Sequence, residues 1–136
     1  MREFCHRAYP FSVLFMFFVA IVGCGGNSAT ACKLTAINVS PASATISHTA
    51  APPGNTQHFD AFEASGTPGC VFAQGNLTTA TWSVSDTTNV SISNVHDATY
   101  GTATCKGATA GAATVTATVP AGDGTNVVST AALTCN

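Results

Sequence analysis

Sulfur and imidazole are the side-chain chemistries this sequence offers most openly, with six cysteines and four histidines among 136 residues. Cysteine carries a covalent group, closes a disulfide or binds a metal, and spacing separates these uses. Cys32, Cys70, Cys105 and Cys135 stand far apart, with no Cys-x-x-Cys pair of the kind zinc sites use. An even number of widely spaced cysteines predicts two disulfides in an oxidising compartment. The histidines promise less. His58 and Asp60 are two apart and share an outward face if they lie on a strand, but a metal needs three or four convergent ligands. His48 and His96 fall in distant turns, so the pair reads as solvated surface. Asp123, in Ala121-Gly122-Asp123-Gly124, lacks the repeated acidic ligands of a calcium loop and reads as a hairpin turn, where Asp-Gly suits positive φ. No Gly-x-Ser-x-Gly elbow, His-Glu-x-x-His or phosphate loop occurs. The expectation is a non-enzymatic chain with no catalytic residues, metal or cofactor.

The cysteines need export to oxidise, and the start of the chain supplies an export signal. Arg2 and Arg7 precede an apolar run from Phe11 to Val22, which stops at Gly23-Cys24. A basic start and an apolar segment shorter than the ~20 residues of a membrane span describe a secretory signal peptide. Ile21-Val22-Gly23 is a poor small-x-small site for ordinary cleavage. Ile21-Val22-Gly23-Cys24 instead resembles a bacterial lipobox, whose cysteine receives a diacylglyceryl group and becomes the first mature residue. The resemblance implies that residues 1–23 are a cleaved lipoprotein signal, that Cys24 is lipidated, and that a membrane is the first partner. Each buried methylene contributes about 0.8 kcal/mol and stable anchoring takes more than one chain, which a lipoprotein cysteine normally carries. Gly25 lacks the acidic signal that retains some lipoproteins at the inner membrane, so outer-membrane placement is expected in a cell with two membranes. Cys5 leaves with the leader.

Roughly 113 residues follow the leader, one domain by the usual size prior. Lys33 and Lys106 stand against Asp60, Glu63, Asp86, Asp97 and Asp123, a net charge of about −3. Nucleic acid is excluded as a partner by the lack of a basic face. Residues 24–31 are small and polar, a flexible tether, and residues 32–136 form the domain.

That domain is rich in Thr, Val, Ala, Ser, Gly and Asn and shows no apolar residues at helical spacing, which predicts an all-β fold. Thr35, Ile37 and Val39 share one face of a first strand ending at Ser40-Pro41, with a short continuation over 44–47 before a turn at Pro52 to Asn55. A second strand spans 56–64 with Phe59 and Ala61 inward. A Gly-rich loop, 65–78, follows. Later strands are expected over 79–85 with Trp82 and Val84 inward, 89–94 with Val90 and Ile92, 100–105 with Ala103 and Cys105, 113–119, and 126–135. Seven short alternating strands predict a two-sheet sandwich, with Trp82 as core rather than a sugar platform. Phe62 falls opposite Phe59, and a local bend that still buries its ring accounts for it.

Several runs then resemble one family in the correct order. Ile37-Asn38-Val39-Ser40-Pro41 with Ala44-Thr45-Ile46, Thr56-Gln57-His58-Phe59-Asp60-Ala61, Thr81-Trp82-Ser83-Val84-Ser85-Asp86 and Gly107 to Ala117 are similar to the strands of bacterial immunoglobulin-like domains of group 2. The resemblance covers nearly the whole exported chain. It implies a seven-stranded immunoglobulin-like β-sandwich, used in cell-surface adhesins, surface-layer proteins and spacer modules, with no shared catalytic residues. The four cysteines and the long 65–78 loop depart from that pattern. The function expected is a lipid-anchored, non-catalytic cell-envelope domain, adhesive or structural, with a cell-wall, glycan or protein partner. The alternative is a small periplasmic binding or inhibitor protein using loop 65–78.

Alternating strand directions place Cys32 and Cys70 at one end of such a sandwich, and Cys105 and Cys135 at the other. A six-residue strand spans about 20 Å, whereas bridged Cα atoms lie within about 7 Å. The pairing expected is therefore Cys32–Cys70 and Cys105–Cys135.

Overall fold

The computed structural model describes residues 31–70 and 75–136. The segment expected to be a signal peptide, 1–23, with Cys24 and the expected tether up to residue 30, lies outside the described residues, as do residues 71–74 of the long loop.

The described chain is all-β, with nine strands: β1 (Leu34–Ser40), β2 (Ser43–Ile46), β3 (Thr56–His58), β4 (Asp60–Gly66), β5 (Thr81–Val84), β6 (Val90–Ile92), β7 (Thr102–Cys105), β8 (Ala113–Pro120) and β9 (Asn126–Cys135). The count exceeds the seven expected because the segments 33–47 and 56–64 each divide between two sheets. Proline removes a ladder donor at Pro41, and beyond it the chain leaves β4, the antiparallel partner of β1, to run parallel to β9 as β2. The second division falls at Phe59, between β3 on β7 and β4 on β1. Phe59 keeps the first ladder alive by donating its N–H to the Gly101 carbonyl at 3.0 Å.

The ladders are β1-β4, β3-β7-β6 and β2-β9-β8-β5. The first two share the continuous segment β3–β4, and with the four-stranded sheet they make a sandwich-like arrangement around one apolar cluster. Period-two alternation builds this cluster, since each strand turns every second side chain inward. It is cleanest on β8, where Ala113, Val115, Ala117 and Val119 are buried. On β9 Ala131, Leu133 and Cys135 are buried in turn, and Val127 packs against the cluster. Many of these positions are alanine, so three aromatic rings, Phe59, Trp82 and Tyr100, supply much of the buried volume. Trp82 is core, as expected. No buried residue among those described is polar or charged.

Two expectations need correction. Thr35 does not share the inward face with Ile37 and Val39. The β1–β4 register shifts on either side of Ala36, so Leu34 takes the buried position and exposed Thr35 hydrogen-bonds Ser65 at 2.8 Å. A bulge of this kind moves a side chain to the other face without breaking the strand. Phe62, in turn, is half-buried rather than enclosed, because Phe59 and Ala61 hold the inward positions and it falls on the outer side of β4.

The sheet edge at β5 is closed by a side chain. The Asn94 amide accepts from the Trp82 N–H at 2.7 Å and donates to the Trp82 carbonyl at 2.9 Å, as a paired strand would. Satisfying these groups removes a template for unwanted strand pairing.

At the start of the domain, Lys33 reaches the β8–β9 hairpin and pairs with Asp123 at 2.7 Å. Asp123 also accepts from the Thr125 N–H and hydroxyl, closing the turn between Gly122 and Gly124, both with positive φ. The hairpin reading of Asp123 therefore holds. The Lys33 ammonium, then the Thr125 donors, hold the Asp123 carboxyl well below the usual carboxylate range. A depressed folded-state pKa means the stabilisation is present above the unfolded value of about 3.9 and is lost as pH falls through the folded one. Carboxyl NMR titration of Lys33→Ala should move the Asp123 midpoint upward. An unmoved midpoint would assign the effect to Thr125 alone.

Candidate functional site

The four domain cysteines meet in pairs. Cys32 and Cys70 are bridged with Cα atoms 5.6 Å apart, and Cys105 and Cys135 with Cα atoms 5.8 Å apart. These are the pairs that strand direction predicts. The first ties the entry of β1 to the loop after β4. The second joins β7 to β9, so it links two sheets through the core, where both cysteines are buried.

The feature that departs most from the sequence reading lies on the outer side of β3. His58 and Asp60 do more than sit side by side in solvent. His58 Nε2 lies 3.0 Å from Asp60 Oδ1, and His58 Nδ1 lies 3.2 Å from the Thr102 hydroxyl on the neighbouring strand. Asn76 donates from Nδ2 to the same Asp60 oxygen, while its own Oδ1 accepts from the Ala61 N–H at 3.3 Å. An imidazole, a carboxylate and an amide are thus held in fixed orientation by β3, β4, β7 and the return of the long loop.

This network borders a cavity of about 460 Å³. His58, Asn76 and Thr78 line one part, and His96, Asp97 and Tyr100 line another. His96 is therefore not remote from His58, as its place in a distant turn suggested. The loop between β6 and β7 is closed by Ser93 N–H to Thr102 O at 3.1 Å and Gly101 N–H to Ser93 O at 3.0 Å, and Phe59 N–H to Gly101 O at 3.0 Å holds it beside the end of β3. The exposed His96 ring stacks on Tyr100 with centroids 4.7 Å apart and planes at 19°. Tyr100 is buried and donates its hydroxyl to the Ala80 carbonyl, and burial pushes its pKa up. Asp97 accepts from the Thr99 hydroxyl and N–H, both at 2.7 Å, which lowers its pKa and shapes the loop. Among the described residues, no group of three or more His, Cys, Asp or Glu is arranged to hold a metal.

His48 lies elsewhere, with Nδ1 2.8 Å from the Asn136 carbonyl. The sequence offered little sign of the cavity, because its parts come from three segments brought together by strand pairing and by hydrogen bonds from loop residues. A periodicity reading registers Tyr100 as a strand start and Asn76 as loop. Compared with known proteins, the sequence matches no family model and no curated protein.

Proposed function

We propose that this chain is an exported bacterial lipoprotein, anchored through lipid at Cys24, whose domain 32–136 is a non-catalytic adhesive or structural module of the cell envelope. The observation that carries the reading is the pair of disulfides at separate ends of the domain, since such bridges persist outside the reducing cytosol. The basic, apolar leader ending in Ile21-Val22-Gly23-Cys24 supplies the route and the anchor. Where the envelope has two membranes, the outer one is the expected site.

Strand order supports the immunoglobulin-like resemblance. Counted as divided strands, β1 with β2 and β3 with β4, the nine segments reduce to seven. Their pairing order, β1-β4/β3-β7-β6 against β2-β9-β8-β5, resembles an immunoglobulin-like sandwich whose first strand switches sheets. A second reading, a small periplasmic binding or inhibitor protein, is favoured by the cavity at the return of loop 65–78, where Asn76 and Thr78 line it.

The anchor is tested by Cys24→Ser. The natural chain should fractionate with membranes, extract into detergent and take up a palmitate label. The variant should lose the label and accumulate as a longer unprocessed or soluble form. Unchanged labelling would sink the anchor at this residue. Pull-down with the soluble variant then divides the two readings: retention on polymeric wall or surface material supports the module, and one stoichiometric small partner supports the alternative.

A further inference from the structure

We propose that the cavity between β3 and the β6–β7 loop binds a neutral saccharide, with Asn76, Asp97 and His96 as its principal contacts. This deepens the envelope-module reading and rests on it only for where the glycan is met.

The lining argues against apolar and anionic ligands. Apolar anchors find nothing to fill, since the lining offers one alanine and otherwise polar or aromatic side chains. Anionic ligands find no lysine or arginine in the lining. Lys33 is paired with Asp123, and Lys106 borders a separate groove beside β5 and β6. What remains suits vicinal hydroxyls, which both donate and accept. The Asn76 amide is already oriented by Asp60 and the Ala61 N–H, and the Asp97 carboxylate by Thr99, so neither needs to be ordered on binding. The exposed His96 ring, backed by the buried Tyr100 ring on which it stacks, offers one aromatic face to the C–H face of a pyranose. A volume of about 460 Å³ lies within the usual range for small-ligand sites.

The test is a titration of the ¹⁵N-labelled, disulfide-intact soluble chain carrying Cys24→Ser, using a trimer of N-acetylglucosamine and maltotriose as neutral probes. Spermine and a sulfated disaccharide serve as charged probes. Saturable binding of a neutral trimer is expected, with shift changes centred on residues 76–78 and 96–100. Asn76→Ala and Asp97→Ala should each weaken it by about tenfold or more, as loss of a hydrogen bond to an oriented or charged group does. Asn76 also supports the Ala61 N–H, so the exposed His96→Ala is the second variant, with a similar loss expected and the fold unchanged. No saturable binding of either neutral trimer, shifts centred elsewhere, or tighter binding of spermine at the same residues would overturn the proposal. Failure here leaves lipidation at Cys24 untouched, since that is read by labelling and fractionation.

Discussion

Replacing Cys105 and Cys135 together with alanine should lower stability by about 4–5 kcal/mol and the melting temperature by about 20 °C. The chain-entropy part follows from a closed loop with a sequence separation of 30, for which the usual relation gives about 3–4 kcal/mol. Cys32–Cys70, with a separation of 38, gives nearly the same figure. Loop length therefore does not distinguish the two bridges. Burial does. Cys105 and Cys135 are 0 % and 1 % exposed, so their removal also leaves an unfilled space between the sheets, costing about 1 kcal/mol more. Cys32 is exposed and Cys70 half-buried, and their double alanine variant should lose no more than the chain-entropy amount. Denaturant melts of the two double variants under oxidising conditions measure the difference. Equal losses would show that the cross-sheet bridge contributes nothing beyond loop closure.

Gly101→Ala should be nearly as damaging, by about 3 kcal/mol or more, although it adds a single methyl group. Gly101 has φ +73°, in the left-handed region that an L side chain enters only with strain. A Cβ there would also meet the Phe59 carbonyl oxygen at 2.3 Å and the Trp82 ring at 3.4 Å. The carbonyl cannot step aside, because Phe59 donates its own N–H to Gly101 at the point where the chain passes from β3 to β4. Gly124→Ala is the internal control. Its φ is +85°, yet a Cβ would meet nothing within 4 Å. That variant should lose only the conformational part, about 1 kcal/mol. If the two melt alike, contact with Phe59 is not what makes Gly101 necessary.

Much of the framework was legible in the residues alone, and the reason is periodicity. A strand buried on one face must alternate, so β8 and β9 declare themselves in Ala113-Thr114-Val115-Thr116-Ala117-Thr118-Val119 and in Ala131 to Cys135. Alternation also sets the inward direction of Trp82, Cys105 and Cys135. Strand direction, with the short reach of a disulfide, then selects the cysteine pairs. These are local or nearly local rules, and they need no knowledge of which strands are neighbours.

What only the tertiary structure decided is where a strand changes partner and what its outer face meets. Alternation runs unbroken through Phe59 and Ala61, so nothing in it reveals that β3 pairs with β7 while β4 pairs with β1. Thr35 continues the polar–apolar rhythm on paper, yet the register shift against β4 gives its place to Leu34. The cavity is the furthest from the sequence. His58, Asn76 and His96 stand 18 or more positions apart, and they meet because β7 lies beside β3 and the loop before β7 folds back over it. Side chains pointing away from the core carry no burial pattern, so their company is set by pairing across the sheet, which period two does not encode.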